Sequence, residues 1–169
     1  MLETMSRAFI KEVDSNVSAD ELPERPQSPH PNYVTPGGLA AFQSQLAELQ
    51  EHRHQLLEHP DAILAQEHLK PVERDIRYFQ ERIERAVVID PANQPRDKVS
   101  FGAVVTTVDE EDAERRFAIV GEDEADPAVG KISWVSPLAR ALTGAAAGDT
   151  VIWKRPAGDK TLEVTAIDY

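Results

Sequence analysis

From Thr35 onward apolar residues recur at Leu39, Phe42, Leu46, Leu49 and Leu56, with Arg53 in the intervening stripe position. Steps of three and four residues place these side chains on one seam of a helix of about five or six turns. Thr35 followed by Pro36 supplies an N-cap and a first helical residue. The run His59-Pro60-Asp61 interrupts the helix, because proline disfavours helical geometry in the residue before it. A second seam follows at Ala62, Ala65, Leu69, Val72, Ile76, Phe79, Ile83 and Ala86. Pro71 lies inside it and is expected to kink the helix. Two helices that each carry one apolar stripe, joined by a tight break, fold back as an antiparallel coiled-coil hairpin. The pattern thus predicts an arm over residues 35–90, roughly 35 Å long at 1.5 Å per residue. The pairs Glu73–Arg77 and Glu81–Arg85 are spaced to support its solvated face.

The grammar differs on either side of the arm. Residues 1–34 include Leu22-Pro23-Glu24-Arg25-Pro26-Gln27-Ser28-Pro29-His30-Pro31. This stretch reads as an extended, disordered proline-rich tail. Phe9 and Ile10 form a short apolar patch before it. After the arm, Pro91 and Pro95 mark a linker over residues 91–98. Short β-patterned runs then occur at Ala103–Val108, Arg116–Val120, Lys131–Val135, Thr150–Arg155 and Thr161–Ile167, separated by turn-forming residues. Ser136-Pro137 starts one short helix that Gly144 can end. Residues 99–169 are therefore expected to form a small α+β domain.

Composition narrows the classes of function. The 169 residues include no cysteine, which removes disulfides, thiolate metal sites and a cysteine nucleophile. No run of 18 apolar residues is present, so no membrane-spanning helix is expected. The first residues lack the apolar core of a signal peptide, and a cytoplasmic location is expected. Eighteen basic residues against 30 acidic ones give a net charge of −12. That field opposes direct binding of naked nucleic acid and suits docking on a basic protein surface.

The spaced run Phe101-Gly102, Ile119-Val120-Gly121, Asp123-Glu124-Ala125-Asp126, Ile132-Ser133, Ser136-Pro137-Leu138-Ala139-Arg140-Ala141-Leu142 and Gly148-Asp149 resembles the C-terminal domain of the bacterial Gre transcript-cleavage factors. The closing Pro156, Gly158, Glu163-Val164, Ile167 and Tyr169 fit the same pattern. The arm is similar to the family's N-terminal hairpin, from Tyr33-Val34-Thr35-Pro36-Gly37-Gly38-Leu39 to Arg82-Ile83 and Ala86-Val87-Val88-Ile89-Asp90. The resemblance spans about residues 33–169. It implies an FKBP-like domain that docks on bacterial RNA polymerase beside the secondary channel, with the arm directed towards the polymerase active site. Nucleic acid would be met only inside that complex. The protein would be no enzyme and no isomerase, would hold no cofactor of its own, and is expected to be a monomer. Any Mg²⁺ would be one shared with the polymerase.

In the family, acidic residues at the arm's tip, in a motif close to G-D-x-x-E-N-A-E-Y, help to hold that second Mg²⁺ so that the polymerase cuts its own backtracked RNA. The corresponding turn here reads Leu56-Leu57-Glu58-His59-Pro60-Asp61-Ala62-Ile63-Leu64. Glu58 and Asp61 are the candidate substitutes, although both also suit ordinary helix ends. The arm is shorter than the family's by about two turns per helix, roughly 11 Å. These features lead to the expectation of a polymerase-binding elongation regulator with weak or no cleavage stimulation. A true cleavage factor using Glu58 and Asp61 is the alternative, and a prolyl isomerase a weaker one. The resemblance places docking on Asp123, Glu124, Asp126, Ile132, Ser133, Ser136, Pro137 and Leu138, whereas Leu142 reads as core. His52, His54, His59 and His68 lie near the tip, but His52 and His54 diverge on a helix and read as solvated. Trp134 and Trp153 fall in strands and read as core.

Overall fold

A computed structural model of the protein describes residues 22–169. The apolar patch at Phe9 and Ile10 lies outside the described residues. The hairpin is present as α1 (Pro36–Leu57) and α2 (Ala62–Glu84), which pack along one another. At 1.5 Å per residue the two helices are about 33–35 Å long. Thr35 caps α1, its side chain accepting from the Gly38 N–H at 3.0 Å. Phe42, Ala65, Val72 and Ile76 are buried along the seam, and α2 continues through Pro71 as one element. Arg53 leaves the seam to pair with Glu73 of the opposite helix at 3.1 Å. Of the two expected solvent-face pairs, Glu81–Arg85 forms at 3.2 Å, whereas Arg77 pairs with Glu24.

The segment read as a disordered tail differs from that expectation over its described part. Residues 22–28 run along α2, the chain bends at Pro29 and His30 towards the sheet domain, and Asn32–Val34 form strand β1. β1 pairs in parallel with β2 (Ala86–Val88), zipping together the two ends of the hairpin, and the Ile89 N–H continues the ladder to the Val34 carbonyl. The side chain of Asn32, almost fully buried, donates to the Arg82 carbonyl at 2.6 Å. Each of these strands is only three residues long and its partner lies some 50 positions away, so no local periodicity marks it.

The sheet domain contains β3 (Val104–Asp109), β4 (Glu114–Val120), β5 (Lys131–Ser133), β6 (Thr150–Trp153) and β7 (Lys160–Asp168), in the order β5-β4-β3-β7-β6. All neighbours are antiparallel except β4 and β5. Helix α3 (Pro137–Leu142) bridges β5 to β6 and covers one face. The register of β3 on β7 shifts between Thr106 and Thr107, and Thr165 at the extra position donates to the Thr106 carbonyl. Such a bulge bends a strand and lets a small sheet curl over a single helix. Val99, Ala103, Val105, Ile119, Leu138, Ala139, Leu142 and Val164 form the core, with Trp134 and Trp153 packed at its margin. No helix of the described residues is long and apolar enough to cross a membrane.

The β3–β4 hairpin is fastened by Asp109, whose Oδ1 accepts from the Glu111 and Ala113 N–H groups at 3.0 Å each, while Lys160 pairs with Oδ2. The Lys160 hydrogen bond, helped by the backbone donors, lowers the Asp109 carboxyl to about 2. A folded-state value below the unfolded value of roughly 3.9 means that the contribution is fully present above that pH. It is lost as the pH falls towards 2. Asp109→Asn is therefore expected to lower stability at pH 6 and to flatten its decline between about pH 4 and pH 2, as read by urea unfolding across that range.

Candidate functional site: the arm tip and the acidic loop

The hairpin tip is built from helix-end chemistry. Glu58 terminates α1 and stands 3.5 Å from His54 one turn earlier, both well exposed. Asp61 caps α2, its Oδ1 accepting from the Ile63 and Leu64 N–H groups at 3.1 Å each. Its own N–H donates to His59 Nδ1 at 3.2 Å. One Asp61 oxygen is thus engaged in holding the turn. Leu57, Ile63 and Leu64 are exposed beside it, Ile63 at 78%. Mg²⁺ takes a near-octahedral set of oxygens. The tip offers two carboxylates on successive helix ends, and no group of three or more His, Asp or Glu residues able to hold a metal occurs among the described residues. The tip therefore fits a resident Mg²⁺ poorly.

The acidic loop lies at the other end of the arm, after β4. Glu124 Oε2 accepts from the Gly121 N–H at 3.1 Å and from the Thr35 N–H at 3.0 Å. Its Oε1 accepts from the Thr35 hydroxyl, which in turn accepts from the Gly38 N–H. One carboxylate therefore closes a chain of hydrogen bonds onto the start of α1, where the helix dipole also favours negative charge. Asp123 grips α2: Oδ2 pairs with Arg82 and Oδ1 accepts from the Tyr78 hydroxyl at 2.6 Å. The Arg82 side chain is 2% exposed and that of Asp123 22%. Burial, reinforced by the hydrogen bond to Asp123, pushes the Tyr78 phenol up to about 12. Asp126 is spent locally, accepting from the Ala128 N–H at 3.1 Å.

Asp123 and Glu124, read from sequence as partner-binding, are thus engaged within the chain, one on each helix of the arm. Two further residues of that set lie inside the domain. Ile132 and Leu138 are buried in the core, 9% and 4% exposed, because β5 sits against β4 and α3 turns its apolar side under the sheet. Pro137 is exposed at the first turn of α3; Ser136 caps that helix by accepting from the Ala139 N–H, and Ser133 accepts from the Val135 N–H. Sequence reasoning missed Thr35, Tyr78 and Arg82 as partners of the acidic loop. Arg82 lies three positions after the seam residue Phe79, a spacing that places it at the edge of the buried stripe. A cleft of about 550 Å³ opens at this junction, where Arg25, Asp123, Glu124 and Lys131 share the wall with Phe42 and Phe79.

The two glycines at the start of α1 separate these effects. A Cβ on Gly38 would collide with the Glu124 carboxylate, whereas one on Gly37 finds only Thr35 Oγ1 at 3.7 Å. Alanine gains up to about 1 kcal/mol of helix propensity at either position. Displacing Glu124 forfeits charge-assisted hydrogen bonds worth about 1.5–3 kcal/mol each. Gly37→Ala should raise the thermal midpoint and Gly38→Ala should lower it, a difference in sign that calorimetry on the two single variants reads directly.

Comparison with known proteins matches residues 94–169 to the family model described as transcription elongation factor GreA/GreB, C-terminal. The chain is 35% identical over 153 residues to transcription elongation factor GreB of Neisseria meningitidis serogroup B, a match covering 82% of this chain and 94% of the relative. The aligned span exceeds the part of this chain that enters it, so the relative carries residues with no counterpart here. GreA of Sphingopyxis alaskensis is 41% identical over 114 residues, covering 68% of this chain and 72% of the relative. Among solved structures, the GreA/GreB elongation factor of Nitrosomonas europaea aligns at a TM-score of 0.41 and 22% identity, covering 81% of this chain and 98% of that one. With a hairpin of two long helices on a small curled sheet domain, and with relatives of this identity and coverage, the chain belongs to the GreA/GreB family of transcription elongation factors.

Proposed function

We propose that this protein binds bacterial RNA polymerase through its sheet domain, places the hairpin in the secondary channel, and regulates elongation by occupying that channel with little or no stimulation of transcript cleavage. The observation that carries this reading is the tip. Asp61 caps α2 through Oδ1, Glu58 stands beside His54, and the exposed side chains of Leu57 and Ile63 next to them are apolar. Helices about 33–35 Å long support the same reading, since the resemblance implies a family arm longer by about two turns in each. Any hydrolysis belongs to the polymerase, and this chain's part is to bind and to fill space. The docking surface is then Ser133, Ser136 and the exposed Pro137, because Asp123 and Glu124 hold the arm and Ile132 and Leu138 lie in the core.

The exposure of both Glu58 and Asp61 at the tip favours one rival, a cleavage factor in which these two carboxylates share the polymerase's Mg²⁺. Backtracked elongation complexes distinguish the two. Under the occupancy reading the protein competes with a Gre factor for polymerase and releases no 3′ RNA fragments. Release of fragments by the parent that is abolished in Glu58→Ala/Asp61→Ala would establish the rival, and failure to compete would defeat both. Pro137→Glu is expected to weaken polymerase binding tenfold or more, about 1.4 kcal/mol, with an unchanged thermal midpoint. Binding titrations of the parent and the variant check it.

A further inference from the structure

The proline-rich segment has no part in the reading above, yet its described portion makes a continuous series of contacts. Glu24 accepts from Arg77 Nε at 3.0 Å. The Arg25 guanidinium lies 3.7 Å from the centre of the Tyr78 ring and 3.6 Å from Asp75 Oδ1. Arg85 reaches the Ser28 carbonyl at 3.5 Å. The His30 ring then meets Trp134 of the sheet domain edge-on, with centroids 6.0 Å apart. The segment's contacts therefore begin in the C-terminal half of α2, pass the foot of the arm and end on the body.

The spacing of these contacts follows from backbone geometry. Glu24 and Ser28 are four residues apart, and their partners Arg77 and Arg85 are eight apart. An extended polyproline segment rises about 3.1 Å per residue and a helix 1.5 Å, so both intervals span about 12 Å. One residue of the segment accompanies two of α2, in parallel register. Pro23, Pro26 and Pro29 restrict the unbound segment in advance, so docking it loses less chain entropy than docking an ordinary tail. Its ion pairs are exposed and individually weak. Stacking of a guanidinium on an aromatic face adds to them. The ring that Arg25 covers belongs to Tyr78, whose hydroxyl donates to Asp123, the residue that ties α2 to the body.

We propose that residues 22–31 are a splint that sets the angle of the arm on the sheet domain, with Arg25 as its positioning residue. The splint goes beyond the polymerase reading and is tested without polymerase. Because the chain has no cysteine, cysteines replacing the exposed Leu57 at the tip and Arg140 in α3 can carry two nitroxide labels in the full chain. Pulsed electron resonance then reports the tip-to-body distance distribution. A single narrow distribution is expected for the parent. Arg25→Ala should lose it in favour of a broad one while the helical circular dichroism stays unchanged. A second variant with Pro23, Pro26 and Pro29 all replaced by glycine should broaden it likewise. Parent-like distributions in both variants would overturn the proposal, as would broadening accompanied by loss of helical signal, which would make the segment a support of the fold alone.

Discussion

Two neighbouring carboxylates, Asp123 and Glu124, hold one helix of the arm each, and the placement of everything beyond them depends on that division. Glu124 closes on the start of α1 through Thr35, and Asp123 closes on the end of α2 through Arg82 and Tyr78. A two-helix hairpin with a single narrow seam has little surface with which to fix its own direction. The short β1–β2 pairing joins its ends but adds only three residues per strand. The arm is therefore attached by charge-assisted hydrogen bonds at the foot, where partial burial strengthens them relative to the solvated pairs further along it, and the splint sets the angle on that attachment.

That arrangement explains a division of labour between the ends of the molecule. The foot is charged, engaged and partly buried. The tip is capped by its own residues and presents leucine and isoleucine to solvent. Acidic residues are abundant in this chain, yet the two most suggestive in sequence act inside the molecule, and the two at the tip largely close helix ends. The sheet domain supplies a rigid base through a core made almost wholly of aliphatic side chains under α3.

Much of this architecture was legible in the sequence because it rests on local rules. The three-and-four spacing located both helices, and Thr35-Pro36, Asp61 and Ser136-Pro137 marked three helix starts that the structure reproduces with side-chain caps. The five strands of the sheet domain were placed to within two residues by their turns. What escaped depends on partners distant in sequence. Nothing near Arg82 in sequence signals its burial, because Asp123 lies 41 positions away, and Asp123 in turn looked available for a partner protein. Ile132 and Leu138 fell within a recognisable motif, but motif membership does not say which way a side chain points. The proline-rich segment carried no apolar period, and only the three-dimensional match between its rise and that of α2 gives it a place.

A double-mutant cycle across the foot of the arm tests the central claim most directly. Unfolding free energies of the parent, Arg82→Met, Asp123→Asn and the double variant give the coupling between the two side chains. If Asp123 holds α2 through Arg82, the coupling is about 1–3 kcal/mol, within the range found for residues in direct contact. Single-variant effects that add to within about 0.5 kcal/mol, the behaviour of independent sites, would contradict it.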